Sequence, residues 1–418
     1  MFSPVNIRVG FYLALRQLRR TSVWTTSLIV FVMLLTFLNL VVVTGILVGI
    51  VEGISNQYRQ METGDLYVTA LDTKDYIENS QQVLAFVRAL PETKRVTARS
   101  STGGRIEANY LTRDLNEKPN ETAATVTGID SVAENAFSGL SGEIGEGQYL
   151  APGDYDAVLL GSQFVDRYSF GEMPGLTPLT NVYPGTKIRL TVNGATREMT
   201  VKGIIVSKAN SPLALKVFMP GGQLRQLLGR TDQNVSEIAV RLAPGADRAA
   251  LRDLLVRSGI AENAKVRTFE DSIPNGIAEV TGTFAAIGNA ISSIGLVVAA
   301  ITIFIVIFIN AITRRKFIGI LKGIGISGAA IELSYMFQSF FYAFMGAGAG
   351  FAILYGFLVP YISAHPIALP ISNAVLVAPL SSTVFRILIL VVTTIVAGYL
   401  PARMIVRKNT LDSILGRN

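Results

Sequence analysis

The chain has 418 residues, 50% of them hydrophobic and only 16% charged, and its mean hydropathy of +0.43 is too high for a single water-soluble fold. A formal charge of +7 does not point to nucleic acid, because the excess basic residues sit in short segments flanking apolar runs. With no cysteine and one histidine, disulfides, thiolate catalysis and cysteine-based metal sites are excluded.

Residues 1–22 interleave Val5, Val9, Tyr12, Leu13 and Leu15 with Arg8, Arg16, Arg19 and Arg20, the pattern of an amphipathic helix on the inner membrane surface. Residues 23–51 are uncharged and exceed the roughly 20 apolar residues that span a bilayer. The run is too long for a signal-peptide core, so it reads as a retained first span. Trp24 at its start suits the interfacial belt. Helical character is expected to continue past Glu52 toward Met61, and residues 271–284 are expected to extend the second span in the same way, forming a paired stalk.

Residues 52–284 are mixed and mildly acidic, long enough for one large domain or two small ones. Residues 80–90 and 248–258 carry apolar residues at helical spacing. Residues 187–206 alternate as strands around Asn193-Gly194, a type I′ hairpin signal, and 157–160 and 236–242 read as further strands. The expectation is an α+β domain with a β-rich insert at about 134–211.

Residues 285–313 form the second expected span. Residues 314–332 follow with Arg314, Arg315, Lys316 and Lys322; 333–362 is the third span; 363–383 is a Pro-containing loop without Lys or Arg; 384–401 is the fourth span; and 402–418 is a basic tail. Positive charge marks the cytoplasmic side. Both termini and 314–332 are therefore expected inside, with 52–284 and 363–383 outside, although Arg386 is a minor exception. The predicted fold class is an α-helical membrane protein: four transmembrane helices, with a large extracytoplasmic α+β domain of two subdomains inserted between helices 1 and 2. The predicted location is the inner (cytoplasmic) membrane, crossed several times.

No catalytic constellation emerges. His365 before Pro366 reads as an ordinary loop residue, and no nucleophile-elbow, zinc-protease or Walker sequence is present. Gly346-Ala347-Gly348-Ala349-Gly350 reads as a helix-packing stripe rather than a phosphate loop. Asn39 and Asn310 read as polar contacts between helices. No catalytic, cofactor-binding or metal-binding residue is expected.

Two segments carry a resemblance. Arg315-Lys316-Phe317-Ile318-Gly319-Ile320-Leu321-Lys322-Gly323-Ile324-Gly325 resembles the basic–E-I-G-I-L-basic-A-I-G motif of the FtsX/MacB permease family. Pro401-Ala402-Arg403 with Leu411-Asp412 is similar to that family's closing P-A-R-x-A-A-x-x-D-P-I-E-A-L. Phe317 stands where the family usually has Glu. Within the family, five features are similar to the lipoprotein-releasing LolC/LolE type: Met1-Phe2-Ser3-Pro4-Val5, Gly10 with the basic 16–20 stretch, Gly147-Gln148-Tyr149-Leu150, Val158-Leu159-Leu160-Gly161 and Phe218-Met219-Pro220.

The resemblance implies an ABC transporter permease, not itself an enzyme. Lys316–Gly325 would be the ATPase-coupling helix, with Ile318, Ile320, Leu321 and Ile324 as an apolar face for a cleft in the partner. ATP and Mg would be bound by a separate cytoplasmic ATPase present in two copies, since the chain lacks G-x-x-x-x-G-K-[ST]. Other implied partners are a second permease, as homodimer or heterodimer with a paralogue, membrane lipid, and a lipoprotein or other amphiphile with an extracytoplasmic carrier. FtsX-like control of a cell-wall hydrolase and MacB-like drug or peptide efflux are the competing functions.

Overall fold

The structure is a computed structural model that describes residues 3–111, 118–169, 176–206, 211–273, 275–368 and 373–407. Its chain divides into a helical unit, Met1–Val51 with Glu279–Ile367 and Ala374–Asn418, and a sheet unit that is chiefly Glu52–Ala278.

Four described helices are long and apolar enough to cross a membrane, within Val23–Thr63, Gly282–Thr313, Gly328–Ala364 and Leu380–Val406. The first run is helical without interruption for 41 residues. At about 1.5 Å per residue this is roughly twice the ~30 Å of a hydrocarbon core. A π turn at Asn39–Val43 interrupts its regular hydrogen bonding, and another at Leu354–Leu358 interrupts the third run. The expected coupling segment is a short helix, Arg315–Gly323, and the third run starts at Gly328, earlier than the sequence pattern indicates.

Small residues set the helix contacts. A methyl group built on Gly346 would lie 2.3 Å from the Met33 Cβ, and one on Gly350 would lie 2.4 Å from the Phe37 ring, so the first and third runs touch almost backbone to backbone. Gly10 brings the amphipathic helix Pro4–Arg20 equally close to Ala330 and Leu333 of the third run. Around these contacts Met33, Phe37, Ile303, Tyr335, Tyr342 and Leu390 form the buried core.

The sheet unit is built on ten strands: β1 (Leu66–Ala70), β2 (Thr93–Ala108), β3 (Glu121–Ile129), β4 (Ile144–Gly147), β5 (Ala157–Gly161), β6 (Lys187–Val192), β7 (Ala195–Ile205), β8 (Lys216–Pro220), β9 (Glu237–Leu242) and β10 (Ala264–Thr268). They run in the order β10-β1-β9-β2-β3-β8-β5-β7-β4, with β6 pairing both β2 and β7. The β6–β7 hairpin turns on Asn193 and Gly194, both at positive φ, with Val192 opposite Ala195. This is the two-residue turn its sequence signals.

The unit holds two main apolar cores on one continuous sheet. Helices Ser80–Ala89 and Arg248–Arg257 cover β1, β9 and β10 through Val83, Val87, Leu251 and Leu255. The second core fills a ring, because β2 pairs β3, β3 pairs β8, β8 pairs β5, β5 pairs β7, β7 pairs β6 and β6 returns to β2. Ile106, Val126, Val158, Leu190, Val201 and Val217 point into it. The β-rich part is thus wider than the expected insert at 134–211, since the far half of β2, all of β3 and β8 complete it. Long β2 joins the two cores: Thr93–Arg99 faces β9 and Gly104–Ala108 faces β6. The change of partner falls at Gly103-Gly104, where absent side chains let the strand bend.

Candidate functional site

The segment after the second apolar helix is built as a hook. Arg314, outside helical geometry, breaks the helix, and Arg315–Gly323 forms a separate helix of about two and a half turns ending in a Schellman motif. The Ile326 N–H donates to the Leu321 carbonyl at 3.0 Å and the Gly325 N–H to the Lys322 carbonyl at 3.1 Å. Gly325 sits at φ 93°, a conformation that only glycine adopts without strain. Ser327 then caps the third run by accepting from the Ala330 N–H, and its hydroxyl donates to Asn6 Oδ1 at 2.7 Å.

The hook's apolar residues divide between two faces. Ile318, Gly319 and Leu321 are buried inside the helical unit, whereas Phe317, Ile320 and Ile324 are 48%, 52% and 70% exposed. The expected partner-facing set of Ile318, Ile320, Leu321 and Ile324 is therefore corrected: Ile318 and Leu321 anchor the hook to its own chain, and Phe317 joins Ile320 and Ile324 on the outer surface. Lys316 and Gly323 are exposed, and Lys322 donates to the Val406 carbonyl at 2.9 Å, tying the hook to the end of the fourth run. Pro401 and Ala402 are buried in that run, and Arg403 lies over the Tyr399 ring. Leu411 and Asp412 lie outside the described residues.

A second polar site lies in the sheet unit, where the long first helix ends at the π turn Arg59–Thr63. Arg99 of β2 is 1% exposed. Its guanidinium donates to the Met61 and Glu62 carbonyls at 2.9 and 2.7 Å and grips the Glu134 carboxylate with Nε and Nη2, both at 2.8 Å. Thr97 donates to the same carboxylate, which stands on the short helix Ser131–Ser138 capped by Asp130. Lys216 pairs with Glu62, and Tyr67 donates to Glu237.

Burial pushes the Glu134 carboxyl up, but the charge and hydrogen bonds of Arg99 and the Thr97 hydroxyl outweigh it and hold the group below its ordinary range. Burial pushes the Lys216 ammonium down, yet Glu62 and Glu237 carry it above its usual value. The arrangement binds helix-end carbonyls and balances charge; it offers no nucleophile beside a base. Nothing in the sequence distinguished Arg99 from the other arginines of the domain. The nearest signal is a charged residue on an otherwise half-buried strand.

A third polar contact sits among the apolar helices. Arg386 of the fourth run donates to the Leu40 carbonyl, inside the π turn of the first run, and to the Thr44 hydroxyl. Asn39 is half-buried there, and its buried Oδ1 lacks a partner among the described residues. His365 stacks on Tyr361, and its Nδ1 lies 3.3 Å from the Tyr361 carbonyl, a local loop contact. Among the described residues no cluster of His, Asp and Glu has the makings of a metal site.

Comparison with known proteins agrees with this architecture. The family model described as MacB-like periplasmic core domain matches residues 26–258, and that described as FtsX-like permease C-terminal matches 289–410. The chain is 25% identical over 225 residues to the macrolide export ATP-binding/permease protein MacB 1 of Yersinia pestis bv. Antiqua, covering 51% of this chain and 33% of that protein. It is 24% identical over 209 residues to MacB of Vibrio parahaemolyticus serotype O3:K6, covering 48% of this chain and 30% of the relative. The matches thus span about a third of these relatives' length. Among solved structures, the periplasmic region of MacB from Actinobacillus actinomycetemcomitans aligns with a TM-score of 0.35 at 14% identity, over 51% of this chain and 92% of that one. The extracellular domain of the noncanonic ABC-type transporter YknZ from Gram-positive bacteria aligns with a TM-score of 0.32 at 17% identity, over 49% and 98%.

Proposed function

The chain belongs to the FtsX/MacB family of ABC transporter permeases, and from that premise we propose that it carries ATP-driven motion through the membrane to an extracytoplasmic sheet unit that handles lipoproteins or other amphiphiles. In this reading two copies of a cytoplasmic ATPase bind ATP and Mg and press on Phe317, Ile320 and Ile324. The observation that carries it is the hook: three large apolar side chains stand exposed on a helix whose opposite face is fixed by Ile318, Leu321 and the Lys322–Val406 bond. Exposed apolar clusters of this kind mark contact surfaces. Both termini are then cytoplasmic, and a second permease, identical or paralogous, completes the membrane unit.

The lipoprotein reading rests on the LolC/LolE-like sequence features, and the named relatives keep macrolide-type efflux as the second reading. The test is to purify the chain with its ATPase in lipid nanodiscs and measure hydrolysis together with release of an acylated protein and of a macrolide. Ile320→Asp, which alters an exposed side chain, is expected to cut permease-dependent hydrolysis about tenfold or more while leaving the thermal transition in place. Full coupling in that variant would remove the hook assignment. Release of macrolide but not of acylated protein would replace the lipoprotein reading with efflux.

A further inference from the structure

Arg8, Arg16 and Arg20 fall on one stripe of the amphipathic helix, at i, i+8 and i+12 with Tyr12 between them. Across a groove of about 730 Å³ they face Arg314, the residue at which the second apolar helix breaks. Among the described residues no carboxylate lines the groove. Its floor is apolar: Leu13 and Leu321 are almost fully buried, and Val9, Ile326 and the rim residue Phe317 extend that surface. All of these residues belong to the helical unit.

Arg16 and Arg20 lie one helical turn apart and share the groove with Arg314, a concentration of like charge that an anion relieves, whereas Arg8 lies about 12 Å farther along the helix. Guanidinium forks match phosphate oxygens in a bidentate fashion. A free phosphate would leave the greasy floor in water, whereas an acylated phosphate covers it. The position agrees, because Arg20 comes just before the apolar run that starts at Val23 and Arg314 comes just after the one that ends at Thr313. Both walls therefore stand at the polar boundary of a span, the depth of a lipid headgroup.

The geometry points to a specific site for an anionic phospholipid between the amphipathic helix and the hook, with the phosphate on Arg16, Arg20 and Arg314 and the acyl chain nearest it on Leu13 and Leu321. The site rests on these spans lying in a bilayer and not on any reading of cargo. Lipid bound there touches both the hook and the helix leading into the first span.

Trp24, the sole tryptophan and 86% exposed, lies four residues beyond Arg20, past the break between the amphipathic helix and the first run, and reports on this boundary. The full chain in zwitterionic micelles is titrated with acyl-brominated phosphatidylglycerol or phosphatidylcholine while Trp24 quenching is followed. Phosphatidylglycerol is expected to quench at about fivefold or more lower mole fraction, and Arg16→Gln or Arg314→Gln each to reduce that preference by up to about fivefold, the factor for one basic residue near an anionic surface. Arg16→Lys is expected to keep most of it, and Arg19→Gln, an exposed arginine outside the groove, all of it. Equal quenching by the two lipids, or an unchanged preference in both Gln variants, overturns the site. So does full competition by millimolar inorganic phosphate, which would mean that the floor takes no part. If Arg16→Gln and Arg314→Gln abolish ATPase binding but leave the lipid preference intact, the groove receives an acidic protein segment and the proposal is wrong.

Discussion

Arg99 sits among three carboxylates, with Glu134 at 2.8 Å, Glu62 at 3.7 Å and Glu237 at 3.8 Å. Removing one partner from such a pair leaves the other charge buried and costs about 3–5 kcal/mol. Arg99→Met is therefore expected to lower the thermal transition of the sheet unit by on the order of 10 °C, followed by the β signal in circular dichroism. Arg99→Met combined with Glu134→Leu should recover part of that loss, because the pair then leaves together. The sign of the pH dependence follows from Glu134. Its carboxyl is held below the ordinary range in the fold, so its contribution is complete above that range and disappears as pH falls through the lowered folded value. In Arg99→Met burial is left to push that carboxyl up, so Glu134 no longer contributes an acid-side loss and the stability gap between variant and parent is expected to shrink as pH falls.

At the scale of elements, the glycine stripe of the third run separates positions that must be small from those that need not be. Gly350 meets the fully buried Phe37 ring, while nothing lies within 4 Å of a methyl group added at Gly348. Gly350→Leu should overpack the contact between the first and third runs and cost at least about 1–3 kcal/mol, whereas Gly348→Leu, two residues away, should leave the detergent melting temperature unchanged. Local signals of this kind were legible in the sequence: the long apolar runs, the Asn193-Gly194 turn and the helical spacing of residues 80–90 each describe a few neighbouring residues. The ring closure was not, because β3 meets β8 and β5 meets β7 in parallel across intervening strands, and no local pattern encodes such a pairing. The division of the hook was also hidden. Periodicity shows that Ile318 and Ile320 lie on different sides of a helix, but only packing against the fourth run decides which side is covered.

For the molecule as a whole, the unequal distribution of basic residues predicts which side of the bilayer each segment occupies. The chain contains no cysteine, so single replacements give a clean background. Thr196→Cys on the β6–β7 hairpin is expected to react with a membrane-impermeant maleimide added outside spheroplasts, and Gly323→Cys only after the membrane is opened. The reverse pattern would invert the orientation and with it the proposed direction of force. The four long apolar runs and the large intervening unit could be read from where uncharged and charged residues fall along the chain. The Arg386 contact to the π turn of the first run could not, since it joins residues more than 300 apart.

Ring closure also limits how the sheet unit can be recognised. Strands paired on both sides cannot template an incoming peptide, and among the described strands β4 and β10 end the series. An extended tether seeking main-chain partners thus has two margins to choose from, Ile144–Gly147 and Ala264–Thr268. Visitors that arrive elsewhere on the ring must be held through side chains and loops, which makes surface chemistry, not backbone zippering, the basis of their selection.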